Sequence, residues 1–251
     1  MGLNKFADWT DEEYNNLLGF TPSYASNNTE VLEVGDLPES INWVDQGMVS
    51  PVKDQGRCGS CWSFSTTGSI ESAFQINDGK ARLLSEQQLV DCSISFGNNG
   101  CGGGLVEYAL NYATKNALAS EDQYPYTATD GKCQDITGEA KLSSFKEVQR
   151  FSPTQLATAL QLGPVSVGVD ASGFAFKMYK SGIITKMCGT AIDHAVLLVG
   201  YGTDNGKDYW LVKNSWAADW GENGYFRVLR DMEKQDEGMC GIQQTPSYPI
   251  V

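Results

Sequence analysis

Two subdomains of α+β class, packed side by side, are predicted by three features of the chain. Helix caps and helix-type apolar spacing dominate residues 60–115, alternation of period two takes over after residue 164, and glycine-rich turns separate the later apolar runs. No internal repeat or low-complexity tract interrupts this order.

The elements follow from local chemistry. Thr10-Asp11-Glu12-Glu13 is a capping box, with Thr10 as N-cap and Glu13 as its reciprocal partner. Residues 21–36 carry Ser, Asn and Pro without periodicity and read as extended. From Ser60 to about Gln75 a helix follows a Gly-rich turn, with Trp62, Ile70, Ala73 and Phe74 near one face. Ser85-Glu86-Gln87-Gln88 opens a second helix, and Val106, Ala109, Leu110 and Ala113 mark a third. Ser152-Pro153-Thr154-Gln155 supplies an N-cap, a Pro at the first helical position and a Gln partner, and Gly163 ends that helix. Val165, Val167 and Val169 then alternate, as do His194, Val196 and Leu198, and residues 208–213 and 224–230 are further strands.

Composition narrows the function. Apolar residues make up 41% of 251, enough for a packed core, and the formal charge is −13. That charge argues against nucleic acid or an anionic membrane as partner. No run of about 20 apolar residues exists to span a bilayer. One histidine among seven cysteines rules against a zinc ribbon or finger, and no metal or cofactor is expected. An odd cysteine count predicts several disulfides and one free thiol, hence an oxidising route. The start Met1-Gly2-Leu3-Asn4-Lys5 lacks an apolar signal region, so part of a precursor is expected to lie upstream.

The chemistry concentrates in Gln55-Gly56-Arg57-Cys58-Gly59-Ser60-Cys61-Trp62. A thiol reacts as thiolate, and a helix N-terminus or a nearby imidazolium favours that anion. Cys61 stands where the turn becomes a helix. Cys58 and Cys61 also form a lone CxxC, which by itself reads equally as a redox pair. His194, 133 residues on, is the sole source of imidazole in the chain. A single histidine is more often a structural residue, but Lys213-Asn214-Ser215-Trp216 follows twenty residues later. An Asn carbonyl can hold an imidazole N–H, and a Trp over that bond keeps water away.

This order of Cys-Gly-Ser-Cys-Trp, His and Asn resembles the papain family of cysteine peptidases, within it the cathepsin L-like branch, over the whole chain. The resemblance implies a papain-like fold, a helical left subdomain (about 46–150) beside an antiparallel, β-barrel-like right subdomain (about 151–251 plus 37–45) with the active-site cleft between them. It implies Cys61 as nucleophile, His194 as acid and base, Asn214 as its orienter, Trp216 as its shield, and Gln55 as oxyanion donor. Gly103 and Gly104 would pair with extended substrate, although Gly102 stands where the family usually has Asn. The pocket for the side chain two positions before the scissile bond would be lined by Leu105, Val106, Gly168, Ile192, Ala195 and Thr245, with Asp193 on the same cleft. The implied disulfides are Cys58–Cys101, Cys92–Cys133 and Cys188–Cys240, which would leave Cys61 free and end the redox reading.

Gly2, Asn4, Phe6 and Asp8 resemble the GxNxFxD motif of papain-family propeptides. Residues 1–36 are therefore expected to be a truncated propeptide that crosses the cleft in reverse, and 37–251 the peptidase, opening at Leu37-Pro38. The implied activity is endopeptidase, present as a partial zymogen, with a hydrophobic preference. Expected partners are polypeptide substrates, the chain's own propeptide and cystatin-type inhibitors, acting on a monomer in a lysosome or other acidic vacuole or after secretion. A non-catalytic binding protein on the same fold, or a disulfide-rich secreted module, is the competing expectation. Asn27-Asn28-Thr29 is a glycosylation sequon.

Overall fold

The computed structural model of the protein describes residues 1–23 and 28–251, so the sequon's acceptor Asn27 lies outside the described residues. Thr10 caps α1 (Asp11–Asn15) reciprocally with Glu13, as the sequence predicts. The caps of α3 (Glu86–Cys92) and α5 (Pro153–Leu160) are only half made. Ser85 and Ser152 accept the N–H of Gln88 and Gln155, but neither glutamine side chain turns back. The Ser85 N–H is already bound to Ala119, and Gln88 accepts the Ala119 N–H at 2.6 Å. Gln155 instead grips the backbone of Leu32. A buried amide with a tertiary partner outcompetes the local cap.

The remaining helices are α2 (Cys61–Asp78), α4 (Val106–Lys115) and the single turn α6 (Phe174–Lys177). The one-faced pattern expected for α2 is not what forms. Residues 61–72 are all buried, because α2 runs between α4 on one side and the sheet on the other. Several of its small polar residues are satisfied locally or by the sheet: Ser63, Thr66 and Ser69 donate to carbonyls three or four residues back, and Ser65 donates to Val196. Gly79, at φ 73°, ends the helix.

Among the described residues nine strands form one sheet: β1 (Thr29–Glu30), β2 (Ile41–Asn42), β3 (Ser144–Val148), β4 (Val165–Val169), β5 (Ile183–Ile184), β6 (His194–Asp204), β7 (Lys207–Lys213), β8 (Tyr225–Leu229) and β9 (Ser247–Ile250). Their order is β1-β3-β9-β4-β6-β7-β8-β5, with β2 paired to β6. The barrel-like closure expected from the resemblance is not formed. The path is open, with two-residue strands β1 and β5 at its ends, each paired parallel to a single neighbour. Closure needs a continuous ladder around the circumference, and such short terminal strands do not supply it. Every residue of β4 is buried, so the valine alternation there marks a strand covered on both faces.

Two apolar clusters fill the molecule. One, on the sheet side, joins Val167, Val196, Trp210, Trp220 and Phe226. The other, on the helical side, joins Trp62, Ile70, Leu89, Val106 and Leu110. The N-terminal segment enters both: Phe6, Tyr14 and Leu17 belong to the first, Phe20 to the second. Among the described residues no helix is long and apolar enough to cross a membrane.

Candidate active site

Cys61 is the first residue of α2, and His194 is the first residue of β6. The register of β6 on β4 sets His194 opposite Val169 and Ala195 opposite Gly168. From that position the Ala195 N–H donates to Cys61 Sγ at 3.4 Å, which ties the head of the helix to the head of the strand. All three predicted disulfide pairs are present and Cys61 is left free. With Cys58 bonded to Cys101, the Cys58/Cys61 pair cannot cycle as a dithiol.

One nitrogen of the imidazole is committed and the other is not. His194 Nε2 lies 2.7 Å from Asn214 Oδ1, whereas Nδ1 is buried with no hydrogen-bond partner among the described residues. Asn214 Oδ1 also accepts the Ser215 N–H at 2.8 Å, which fixes the amide that holds the ring. Trp216 stacks on His194, with centroids 4.5 Å apart and planes at 26°. Gln55 is anchored from the same strand end. Its Oε1 accepts Ser215 Oγ at 2.7 Å and Trp216 Nε1 at 3.1 Å, so Nε2 points the other way, toward the carbonyls of Cys58 and Leu17. Ser215 and Tyr126 were not singled out by sequence. Tyr126 bonds the Gln55 carbonyl and Ser60 Oγ, and only its position after a proline marked it.

The cleft is occupied by residues 16–20. The Gly19 carbonyl accepts the Gly104 N–H at 2.8 Å, the Phe20 N–H donates to Asp193 O at 3.0 Å, and Phe20 pairs with Gly104 in the parallel sense. The approach is so close that a Cβ on Gly19 would fall 1.8 Å from the Gly59 carbonyl oxygen. Gly103, at φ 114°, is equally hemmed in by the Gly19 carbonyl. Phe20 lies in the predicted pocket. A Cβ on Gly168 would meet Phe20 Cε1 at 2.7 Å and Ile192 Cδ1 and Thr245 Oγ1 at 3.0 Å. Phe20, Val106, Ile192 and Ala195 share one cluster. Leu105 stands at the edge as the residue leading into α4, its N–H held by Asn98 at 2.8 Å.

Upstream, the GxNxFxD residues grip the loop after α6. Gly2 N–H donates to Met178 O, and Asn4 Nδ2 donates to the carbonyls of Lys177 and Tyr179. Phe6 and Tyr14 then meet Trp216 edge-on at 5.1 and 5.7 Å. Ion pairs Asp11–Lys177 and Glu13–Arg57 close the rim.

Burial under this segment sets the protonation of the pair. It pushes the Cys61 thiol up to about 11, against the pull of backbone amides of Ala195, Gly19 and Trp62. It lowers His194 to about 4, although the Asn214 bond favours the imidazolium. Both groups are therefore neutral while covered. Asp193, half-buried beside Asp170, is raised to about 6, chiefly by desolvation.

Comparisons with known proteins identify the family. A family model described as papain family cysteine protease matches residues 37–250. The probable cysteine protease RD21B of Arabidopsis thaliana is 46% identical over 259 residues, covering 100% of this chain and 56% of that protein. Oryzain beta chain of Oryza sativa subsp. japonica is 45% identical over 258 residues, covering 99% of this chain and 55% of that protein. The chain thus spans little more than half the length of these plant relatives. Among solved structures, the digestive procathepsin L2 proteinase of Tenebrio molitor larval midgut superposes with a TM-score of 0.91 at 38% identity, covering 100% of this chain and 84% of that one. The chain belongs to the papain family of cysteine proteases.

Proposed function

We propose that the chain is a cysteine endopeptidase whose cleft is blocked by its own residues 1–36. The observation that carries this reading is a single histidine with Nε2 fixed by Asn214 and Nδ1 left free, its neighbour Ala195 bonded to Cys61 Sγ.

With the cleft open, Cys61 gives its proton to His194 Nδ1 and the helix N-terminus favours the thiolate. Sulfur adds to the scissile carbonyl carbon. The resulting oxyanion is held by Gln55 Nε2 and the Cys61 N–H. His194 passes the proton to the departing amine, which leaves a thioester and a free N-terminus. A water, deprotonated by His194, adds to the thioester, and collapse returns the thiol and releases the acid.

The blocking segment resists the same chemistry through its direction. It pairs parallel to Gly104, and the Gly19 amide is among the backbone groups that pull the covered Cys61 thiol down. The Leu17 carbonyl takes the Gln55 donor at 3.0 Å, where an oxyanion would sit.

Acid is expected to release it. His194 is held below its ordinary value while covered, so protons bind the uncovered state better and covering weakens as pH falls from about 6.5 toward 4. Asp11 is held below the ordinary carboxylate range by its Lys177 hydrogen bond across the contact, whereas Glu13 is lowered mainly by its own Thr10 cap and so adds little to docking. The Asp11 contribution exists above that range and is lost as pH falls through the docked value. Asp193 acts oppositely: raised while covered, it opposes docking fully above about 6, and that opposition fades as pH falls from there toward the ordinary carboxylate value. Asp11→Asn should therefore move the onset of self-processing to higher pH, read as the mass of the chain after timed incubation across a pH series. An unchanged onset would remove Asp11 from the account.

Pocket chemistry implies a hydrophobic residue two positions before the cut. Gly168→Ala should lower kcat/KM for Phe about tenfold relative to Val, since a methyl group intrudes where the Phe20 ring now lies. A panel of fluorogenic dipeptide amides tests both points, and Arg outperforming Phe at that position would overturn the preference. The activity itself is tested with a Phe-Arg dipeptide amide at mildly acidic pH with reductant, and with a thiol-directed epoxide. Processed, folded protein that neither hydrolyses the amide nor takes the epoxide at Cys61 would leave a binding protein instead. Three disulfides and acid release together fit an acidic compartment on the secretory route.

A further inference from the structure

The blocking segment is held in a second place, and that place is built like a peptide-binding groove. Beyond the cleft, residues 28–32 run along the edge of β3. The Glu147 N–H donates to Asn28 O at 3.2 Å and the Gln149 N–H donates to Glu30 O at 3.1 Å. Thr29 and Glu30 pair in register with Glu147 and Val148. Gln155 completes the row with both ends of its amide, accepting the Leu32 N–H at 2.7 Å and donating to Leu32 O at 2.9 Å.

Side chains alternate as they do on a true strand. Thr29 and Val31 face solvent, and Val31 is 68% exposed. Asn28, Glu30 and Leu32 face inward and each meets something. Asn28 Nδ2 donates to Phe145 O at 2.7 Å, the Glu30 carboxylate accepts the Tyr248 hydroxyl, and Leu32 packs on the sheet-side cluster. Gln155 and Tyr248 are themselves buried.

We propose that this edge is a peptide-binding exosite, separate from the Cys61 cleft, that accepts an extended polypeptide carrying a carboxylate two residues before an aliphatic side chain. The inference rests on residues 1–36 leaving the working enzyme. Once they leave, the N–H groups of Glu147 and Gln149, the Tyr248 hydroxyl and the Gln155 amide lose their partners together. An open sheet edge with a buried amide beside it binds a strand through main-chain bonds, and the inward pockets set its sequence. Loss of the carboxylate or of the aliphatic group should weaken binding about tenfold each.

The test uses processed enzyme with Cys61 blocked by the epoxide, so that the cleft is filled and the probe survives. The probe is a fluorescent hexapeptide of residues 28–33, Asn-Thr-Glu-Val-Leu-Glu, followed by anisotropy. Saturable binding is expected, weakened about tenfold by Gln for its first Glu or Ser for its Leu. Gln155→Leu and Tyr248→Phe in the enzyme should weaken it comparably while dipeptide hydrolysis stays unchanged. The peptide substitutions carry the test even if an enzyme variant misfolds. No saturable binding at millimolar peptide, or equal binding of a scrambled hexapeptide, overturns the exosite. Mass spectrometry separates the two failures: a chain still carrying residues 1–36 defeats the maturation reading, whereas a released chain that ignores the peptide defeats only the exosite.

Discussion

Replacing Cys61 with serine is expected to abolish peptide hydrolysis, with kcat/KM on a dipeptide amide falling by roughly 10⁴-fold or more. A hydroxyl is far less acidic than a thiol, and the imidazole Nδ1 that would accept its proton has no second base behind it. Asn214 only orients the ring at Nε2. The helix N-terminus that favours a thiolate cannot make an alkoxide of serine at mild pH. The same variant should keep its full 27.3 kDa mass through acid incubation, because no nucleophile remains to cut the N-terminal segment away. Activity within tenfold of the parent chain would move the nucleophile elsewhere.

The second large effect is expected at a residue that takes no part in the chemistry. Gly19→Ala should free the cleft without any cut, because the added methyl carbon would sit 1.8 Å from the Gly59 carbonyl oxygen. Backbone lies on both sides, so neither strand can yield as a side-chain tip would. A strain of a few kcal/mol or more translates into at least a hundredfold greater opening. Unprocessed Gly19→Ala protein should react with the thiol-directed epoxide at neutral pH, where the parent chain is protected. Protection equal to the parent's would mean that Gly19 is not the point of closest approach in solution.

Legibility of the fold and of the site followed the range of the interactions involved. Thr10, Ser85 and Ser152 announced three helix starts because a cap is made within four residues. What Gln88 and Gln155 do instead depends on Ala119 and Leu32, which no local pattern encodes. Strands β6, β7 and β8 were readable from alternation, whereas β1, β2 and β9 were not, being short and defined only by their partners. The barrel-like closure inferred by resemblance failed at the two-residue end strands β1 and β5. Glu86 looked like an ordinary first-turn acid, yet its carboxylate turns inward to Lys53 at 2.6 Å and to Thr67. Cys61, His194, Asn214 and Gln55 were legible because their order along the chain is distinctive, and the structure brings all four together. The occupant of the cleft was only partly so. GxNxFxD marked the segment, but nothing in Leu17-Leu18-Gly19-Phe20 foretold that the Phe ring would fill the pocket and the Leu17 carbonyl would meet Gln55.

Because the plug that fills this cleft is part of the same polypeptide, its occupancy does not depend on how much protein is present. A tethered ligand acts at an effective concentration of the order of millimolar, so dilution alone would not unblock the proposed enzyme. One cut between the two parts changes the order of the reaction: rebinding becomes bimolecular and must compete with diffusion away. On the reading proposed above, the chain would carry a switch whose off state is insensitive to concentration and whose on state is favoured by dilution, with a single peptide bond separating them.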